Sequence, residues 1–192
     1  RRHPDDFEFE KQLNVLKKLR ENGEFAYVGL SEVPLEDLIV AQKKFPINFL
    51  ETEFSLSVTF LELDGYLDYC LDHQIKILAY SPLARGFWSD KDLKLDSPFY
   101  QLFEMFKPEH LAKLMPILKL IRKFARDKYT VSCLVLAWIR QKGCIPIPGS
   151  STFSRNKNNI DAQHIKLSEM EFDFVDALSC DITQDFGIRR YK

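Results

Sequence analysis

The stretch CIPIPGSSTFSRNKNN, residues Cys144–Asn159, decides the fold that we predict for this chain. It begins as a short apolar strand, turns through small polar residues and continues as a polar helix. Backbone N–H groups at the start of a helix lack intrahelical partners, and the helix dipole gives them partial positive charge. The pattern predicts a phosphate site. Gly149 lets a ligand approach the backbone closely, and Arg155 adds a charged guanidinium. Three hydroxyl donors complete it: Ser150, Ser151 and Thr152. An ordinary strand-to-helix turn with a Ser/Thr cap and a solvated arginine fits the spacing equally well.

The composition of the chain is that of a globular protein. Its 192 residues are 45% hydrophobic and 29% charged, which allows one domain with a substantial core. The 27 basic and 28 acidic residues leave a net charge of −1, so we expect no general attraction to nucleic acid or to an anionic membrane. The apolar runs are too short to span a bilayer.

The number and spacing of the cysteines indicate the cellular compartment in which the protein folds. The four cysteines are far apart in the sequence, form no CxxC pair and lie mostly in apolar segments. This predicts reduced thiols in a cytoplasmic protein, and a secreted protein with two disulfides is the alternative. Nothing resembles a signal peptide, and the missing initiator methionine indicates a fragment.

Strands and helices alternate along the chain. Four short apolar strands are predicted: Phe25–Leu30, Asn48–Phe54, Lys76–Tyr80 and the residues around Ile145 and Ile147. Helices are predicted between and after them: residues 6–22, 33–44, 61–73, 108–128, 131–141, the stretch after Thr152, and 168–178. This alternation predicts a parallel sheet, and strands such as YVGL and KILAY, which lack polar alternation, predict that both sheet faces are covered.

The carboxyl ends of the strands are where such sheets bind ligands, and in a (β/α)₈ barrel phosphate commonly lies after the last two strands. Here the last two strands end in AYSPLARG and PIPGSST, the most site-like turns in the chain. Four β-α units are half of the eight in that barrel. The long aromatic segment Phe87–Lys107 is predicted to be a loop, either a wall of a substrate pocket or a flap over the barrel mouth.

Four motifs together carry a resemblance to a known family. YVGLSEV, LETEFSL, ILAYSPLARGF and IPIPGSSTFSRNKNNIDA follow one another in the order and spacing of the second half of an aldo-keto reductase, and are most similar to the fungal pyridoxal reductase branch. The resemblance implies an α/β fold, the C-terminal half of a (β/α)₈ barrel: strands 5–8 with their helices and a C-terminal helix. It implies one partial-barrel domain over residues 1–192, with a loose tail at 181–192.

The resemblance also implies NADP(H) as cofactor, with NADPH preferred. Tyr80 takes the place of the aromatic residue that stacks on the nicotinamide, although a strand-end core aromatic would look the same. Ser31 and Glu51 fall at the carboxamide positions. Glu32 and Glu51 replace the usual Asn and Gln. An ionised carboxylate can accept from the carboxamide but cannot donate to it, so a structural role for either glutamate is the alternative.

The remaining cofactor positions belong to two turns and one helix. The positions implied for the pyrophosphate and ribose are Ser81, Leu83 and Arg85. Those implied for the 2′-phosphate are Gly149, Ser150, Ser151, Thr152 and Arg155. Those implied for the adenine are Asn158 and Asn159.

The family's catalytic Tyr, Lys and Asp come from the first half of the barrel, and nothing in this sequence matches them. We therefore expect no catalytic residue and no metal ligands here. The full-length protein would be an NADP-dependent oxidoreductase acting on a small carbonyl substrate, while this chain alone would be inactive and would self-associate through exposed strand edges. A non-catalytic NADPH-binding module or regulatory subunit of the same fold is the alternative, and a different β/α protein with coincidental motifs is a third.

Overall fold

A single four-stranded sheet organises the molecule. The computed structural model describes residues 8–63 and 65–186, and the side chains as far as residue 182. The strands are all parallel and lie in the order β1-β2-β3-β4. Their bounds are Gly29–Ser31 for β1, Phe49–Glu53 for β2, Lys76–Tyr80 for β3 and Cys144–Pro146 for β4. The predicted parallel α/β arrangement is confirmed.

Helices connect and follow the strands. Their bounds are Phe9–Glu21 for α1, Leu35–Lys44 for α2, Tyr66–Asp72 for α3, Pro98–Gln101 for α4, Pro108–Ala125 for α5, Val131–Gln141 for α6, Phe153–Asp161 for α7 and Glu169–Phe186 for α8. Among the described residues, none of these helices is long and apolar enough to cross a membrane.

Two predicted elements begin later than expected. The first strand starts only at Gly29, because the ladder with β2 begins where Gly29 faces Phe49, and the N–H of Val28 before it bonds instead to the side chain of Asn48. A Cβ on Gly29 would lie 3.1 Å from the Cβ of Phe49, a tight contact that favours glycine at this position. The helix predicted from Leu61 starts at Tyr66, after a 3₁₀ turn at Phe60–Glu62.

The last helix is longer than predicted. It continues past Leu178 to Phe186, so the loose tail predicted from residue 181 is helical as far as Phe186. Residues 187–192 of that predicted tail lie outside the described residues. The helix starts at a capping box, since Ser168 N–H donates to Glu171 Oε2 at 2.8 Å and Glu171 N–H donates back to Ser168 Oγ at 3.4 Å.

The prediction that both sheet faces are covered is wrong for this chain. Side chains on one face, such as Leu50 and Ile77, are fully buried. On the other face Tyr27 is 71% exposed and Ile145 is 44% exposed. The apolar runs therefore reflect one buried face and a second, mixed face, which carries Glu51, Leu78 and Tyr80 and is only partly covered by the described part of the chain. We call the latter the open face.

The core lies between the sheet and the apolar helix α6. The Trp138 ring of α6 stacks on the Phe54 ring with their centroids 5.5 Å apart, and the Trp138 indole N–H donates to Asp176 of α8 at 2.9 Å. The segment Phe87–Lys107 is not merely a loop. It contains α4, and Trp88 is fully buried with its indole N–H donating to Ser57 Oγ at 2.8 Å.

Candidate functional site

A cavity of about 450 Å³ opens beyond the carboxyl ends of β3 and β4. It lies between the turn that follows β3, residues 81–86, and the turn and helix that follow β4. Seven of the thirteen predicted site residues line it: Ser81, Leu83, Arg85, Gly149, Arg155, Asn158 and Asn159. The two turns singled out in the sequence are therefore neighbours, because β3 and β4 pair directly.

The turn after β3 has an unusual backbone. Ser81, Ala84 and Arg85 have φ values of 48°, 46° and 58°, in the left-handed region that non-glycine residues rarely adopt. Two short-range bonds hold the turn, from Ala84 N to Ser81 O at 2.8 Å and from Gly86 N to Leu83 O at 2.9 Å. Strained backbone of this kind clusters at ligand sites, where it fixes the geometry before a ligand arrives.

The Arg85 guanidinium is held by two groups. Its Nη1 lies 3.2 Å from Oε1 of Glu53, whose side chain is 3% exposed, and its carbon lies 3.8 Å from the centroid of the Phe103 ring. The Tyr100 hydroxyl donates to the Arg85 carbonyl at 3.4 Å. The Arg85 side chain thus links the end of β2 to the aromatic segment 87–107, and Arg85 also forms part of the cavity wall.

The turn before α7 is closed by its own polar groups. Thr152 is the N-cap of α7 and accepts from Arg155 N at 3.4 Å and from Arg155 Nε at 3.0 Å. Arg155 Nη2 donates to Ser151 Oγ at 2.9 Å, and Ser150 Oγ donates to Thr152 O at 3.1 Å. The Ser/Thr cap expected of an ordinary turn is therefore present, but the arginine folds back onto it. Ser151 and Thr152 are exposed and Ser150 is half-buried, and none of the three lines the cavity.

The other three predicted residues lie on the open face of the sheet. Ser31 faces Glu51 in the β1–β2 ladder, and Tyr80 faces Glu53 in the β2–β3 ladder. Tyr80 is half-buried and directly precedes Ser81, so it lies next to the cavity without lining it.

Glu32 has structural contacts. Its Oε1 accepts from Glu53 N at 3.1 Å and from Thr52 Oγ1 at 3.2 Å. The alternative that Glu32 is structural is therefore the one that the contacts favour. Glu51 by contrast is exposed on the open face.

Sequence reasoning missed part of the cavity wall, which also includes Asp90, Lys91, Thr130 and Ser132. Asp90 Oδ2 accepts from Val131 N–H at 2.9 Å, at the first turn of α6. Thr130 caps the same helix by accepting from Cys133 N at 3.1 Å. The α6 N-terminus is therefore a second helix start at this cavity, and the Thr-x-x-Cys spacing before an apolar run was its only sequence signal.

The wall of the cavity suits a phosphorylated ligand. Three cationic residues line it, Arg85, Lys91 and Arg155, and its acidic residue Asp90 is engaged by a helix N–H. Its volume lies in the range of small-molecule sites. Within residues 8–63 and 65–186, no three His, Cys, Asp or Glu side chains converge as metal ligands. The arrangement can bind and orient an anionic cofactor.

The fold and this cavity define an α/β protein with a small-molecule-sized cavity at the carboxyl edge of a parallel sheet. The chain belongs to the aldo/keto reductase family, whose model matches residues 2–179. The family predicted from the four motifs is confirmed.

Curated relatives support the same conclusion. A probable pyridoxal reductase 2 from Schizosaccharomyces pombe is 33% identical over 196 residues, covering 95% of this chain and 58% of the relative. A probable aldo-keto reductase 1 from Glycine max is 33% identical over 168 residues, covering 84% of this chain and 48% of the relative. The chain thus spans about half the length of these relatives.

Solved structures share the fold. The glycerol dehydrogenase of Gluconobacter oxydans superposes with a TM-score of 0.80 at 19% identity, over 97% of this chain and 58% of the other. An aldo-keto reductase complexed with NADPH superposes with a TM-score of 0.63 at 19% identity, over 91% of this chain and 48% of the other. The predicted fold class, part of a (β/α)₈ barrel, is confirmed.

Proposed function

We propose that this chain is the cofactor-binding part of an NADPH-dependent aldo-keto reductase that reduces an aldehyde or ketone to an alcohol. One observation carries the proposal: a single cavity collects the β3 turn, the Gly149 turn and the face of α7 that bears Arg155, Asn158 and Asn159. These groups come from segments far apart in sequence, and their donors and cations match the charge of a dinucleotide phosphate.

Different residues of the cavity would bind different parts of the cofactor. Arg155, Ser150, Ser151 and Thr152 would hold the 2′-phosphate at the start of α7, with backbone N–H groups adding partial positive charge. The β3 turn would hold the pyrophosphate. Asn158 and Asn159 would contact the adenine. The donor set fits because the guanidinium already lies against two hydroxyl oxygens at 2.9 and 3.0 Å.

The open face would take the other end of the cofactor. Tyr80 would place its ring against the nicotinamide, and Ser31 and Glu51 would bind the carboxamide, with Glu51 accepting from its NH₂ group. When bound, the reduced nicotinamide supplies the hydride, and these residues set which ring face meets the substrate.

Because nothing in this sequence matches the catalytic Tyr, Lys and Asp of the family, we propose that the proton comes from a group outside it and that this chain alone is inactive. In the longer enzyme a Tyr with Lys and Asp support would donate it. The relative named a probable pyridoxal reductase suggests an aromatic aldehyde as substrate. The aromatic segment 87–107, tied to the cavity wall through Arg85 and Phe103, would form one wall of that pocket.

A non-catalytic NADPH-binding module is the second candidate, since no residue of this sequence matches the catalytic Tyr, Lys and Asp of the family. Either form would be cytoplasmic, in keeping with four free thiols. In either form, we propose that the chain self-associates through its open face and strand edges, because Tyr27, Ile145 and Ile147 are 71%, 44% and 41% exposed there. Sedimentation as a monomer at high concentration would contradict that association.

Cofactor titration tests the central proposal. NADPH binding is followed by its fluorescence in the wild-type chain, in Arg155→Met and in Lys157→Met. Lys157 is the matched control on the same helix, since its Nζ is committed to Asp161 at 2.7 Å. We expect Arg155→Met to weaken NADPH binding about tenfold, the value of one charge-assisted bond, and NADH binding hardly at all.

Equal losses for NADPH and NADH, or no binding by the wild-type chain, would contradict the proposal. An aldehyde-reduction assay on this chain and on a longer form then separates the candidates. Turnover in the longer form supports the reductase. Binding without turnover there supports the module.

A further inference from the structure

The four residues Ser89–Asp92 form one rim of the cavity, and they are fixed from two directions. We call them the rim segment. Ser89, Asp90 and Lys91 line the cavity, and Lys91 is exposed there. The segment has no helix or strand of its own. Its geometry must therefore come from contacts with its neighbours.

Arg122 of α5 makes most of those contacts. Its Nη2 donates to the carbonyl oxygens of Ser89 at 3.1 Å and Lys91 at 3.0 Å, and its Nε donates to Ser89 O at 3.3 Å. Its Nη1 lies 3.3 Å from Asp92 Oδ1. The Asp92 side chain is 97% exposed, so that ion pair contributes little. The carbonyl contacts are the ones that set the backbone.

A planar guanidinium suits this arrangement. The carbonyls of Ser89 and Lys91 converge on one side of the segment, where Nη2 alone reaches both and Nε adds a second bond to Ser89 O. The opposite side is held by Asp90, whose carboxylate accepts from Val131 N–H at 2.9 Å. Between these two anchors lies Lys91, which lines the cavity.

We propose that Arg122 is a positioning residue for cofactor binding, which acts by holding the rim segment so that Lys91 faces the cofactor's phosphates. Arg122 itself does not line the cavity. The inference rests on the proposed function, since it takes an NADP(H) phosphate group as the partner of Lys91. It predicts that the effect of Arg122 on binding passes through Lys91.

A double-mutant cycle tests this. NADPH dissociation constants are measured for the wild-type chain, Arg122→Met, Lys91→Met and the double variant, with the exposed Lys119→Met on α5 as control. We expect each single variant to bind about fivefold to tenfold more weakly, as for one lost charge-assisted contact, and the double variant to bind no more weakly than Lys91→Met. Arg122→Lys should recover binding only in part, because one ammonium can bridge the two carbonyls but cannot also make the Nε bond to Ser89 O.

Hydrogen exchange of peptides covering residues 86–95 reads the positioning directly, without cofactor. Arg122→Met should speed exchange there, and Lys119→Met should not. Unchanged exchange overturns the inference, as does a double variant whose loss is the product of the two single losses. If the wild-type chain binds no NADPH, the proposed function fails and the inference fails with it. If the wild-type chain binds and Arg122→Met binds equally well, only the inference fails.

Discussion

Substituting Arg85 and substituting Glu53 both break the ion pair between them, but the two substitutions should lower the free energy of unfolding by unequal amounts. Arg85→Met removes the guanidinium and leaves the Glu53 carboxylate, 3% exposed, without that cation. Glu53→Gln keeps the size of the side chain and an oxygen that can still accept from Arg85. Both changes remove the same charge pair, but the charge left by the first is 3% exposed, whereas the Arg85 charge left by the second is 19% exposed and keeps a neutral acceptor.

The structure sets the magnitudes. Removing one partner of a buried ion pair costs about 3–5 kcal/mol, and since the Arg85 side chain is 19% exposed we expect the lower end, about 3 kcal/mol, for Arg85→Met. Loss of the contact with the Phe103 ring, 3.8 Å away, adds about 0.5–1 kcal/mol. Glu53→Gln exchanges a charged hydrogen bond for a neutral one, a difference of about 1 kcal/mol. Arg85→Met should therefore cost about 3.5–4 kcal/mol in all, roughly four times the loss for Glu53→Gln.

Urea unfolding measured by tryptophan fluorescence gives these free energies, because Trp88 and Trp138 are both fully buried. The exposed Lys94→Met, in the same segment as Phe103, is the matched control and should change stability little. The double variant Glu53→Gln/Arg85→Met should be more stable than Arg85→Met alone, because its buried carboxylate is gone. If the two single losses were equal, or if the double variant were the least stable, the reasoning about a buried charge would be refuted.

Two further changes probe the cavity edge and the last helix. A Cβ on Gly149 would meet nothing within 4 Å, so Gly149→Ala should leave the free energy of unfolding unchanged but weaken NADPH binding in a fluorescence titration; unchanged affinity would contradict close approach of the ligand. Hydrogen bonds from Lys128 and then from Ser168 N–H lower the pKa of Glu171 from 4.5 to about 2, so its stabilising contribution is present above pH 4.5 and is lost as the pH falls from 4.5 to 2. The melting temperature of Glu171→Gln should therefore fall less than that of wild type over this interval, and parallel acid curves would argue against it.

Elements with strong local signals could be predicted from the sequence with their observed bounds. Lys76–Tyr80 and Val131–Gln141 are such elements, because Ser81-Pro82 ends the strand and Gly143 follows the helix. Gly143 has a φ of 85°, which explains why glycine stands there. Local sequence and tertiary contacts agree at these places.

Elements set by distant partners could not be predicted in this way. The start of β1 depends on which residue of β2 it faces, and periodicity in YVGL says nothing about that register. The exposed open face was missed because an apolar strand reads the same whether its second face is covered or not. In the site, the capping of Val131 by Asp90 joins residues 41 positions apart, and no local pattern marks such a contact.

The site depends on a short ladder. β3 and β4 pair through three residue pairs, from Ile77 with Cys144 to Ala79 with Pro146, and Ile147 N–H adds a bond to Ala79 O at 3.0 Å. The strained turn begins one residue after the end of β3, and the Gly149 turn begins two residues after Ile147. A ligand held by both turns therefore stabilises the same pairing that brings them together. Because binding to the folded state alone stabilises it, the cavity and the β3–β4 ladder are thermodynamically one unit. The two turns that look most like ligand sites in the sequence lie side by side because they follow the two strands that pair.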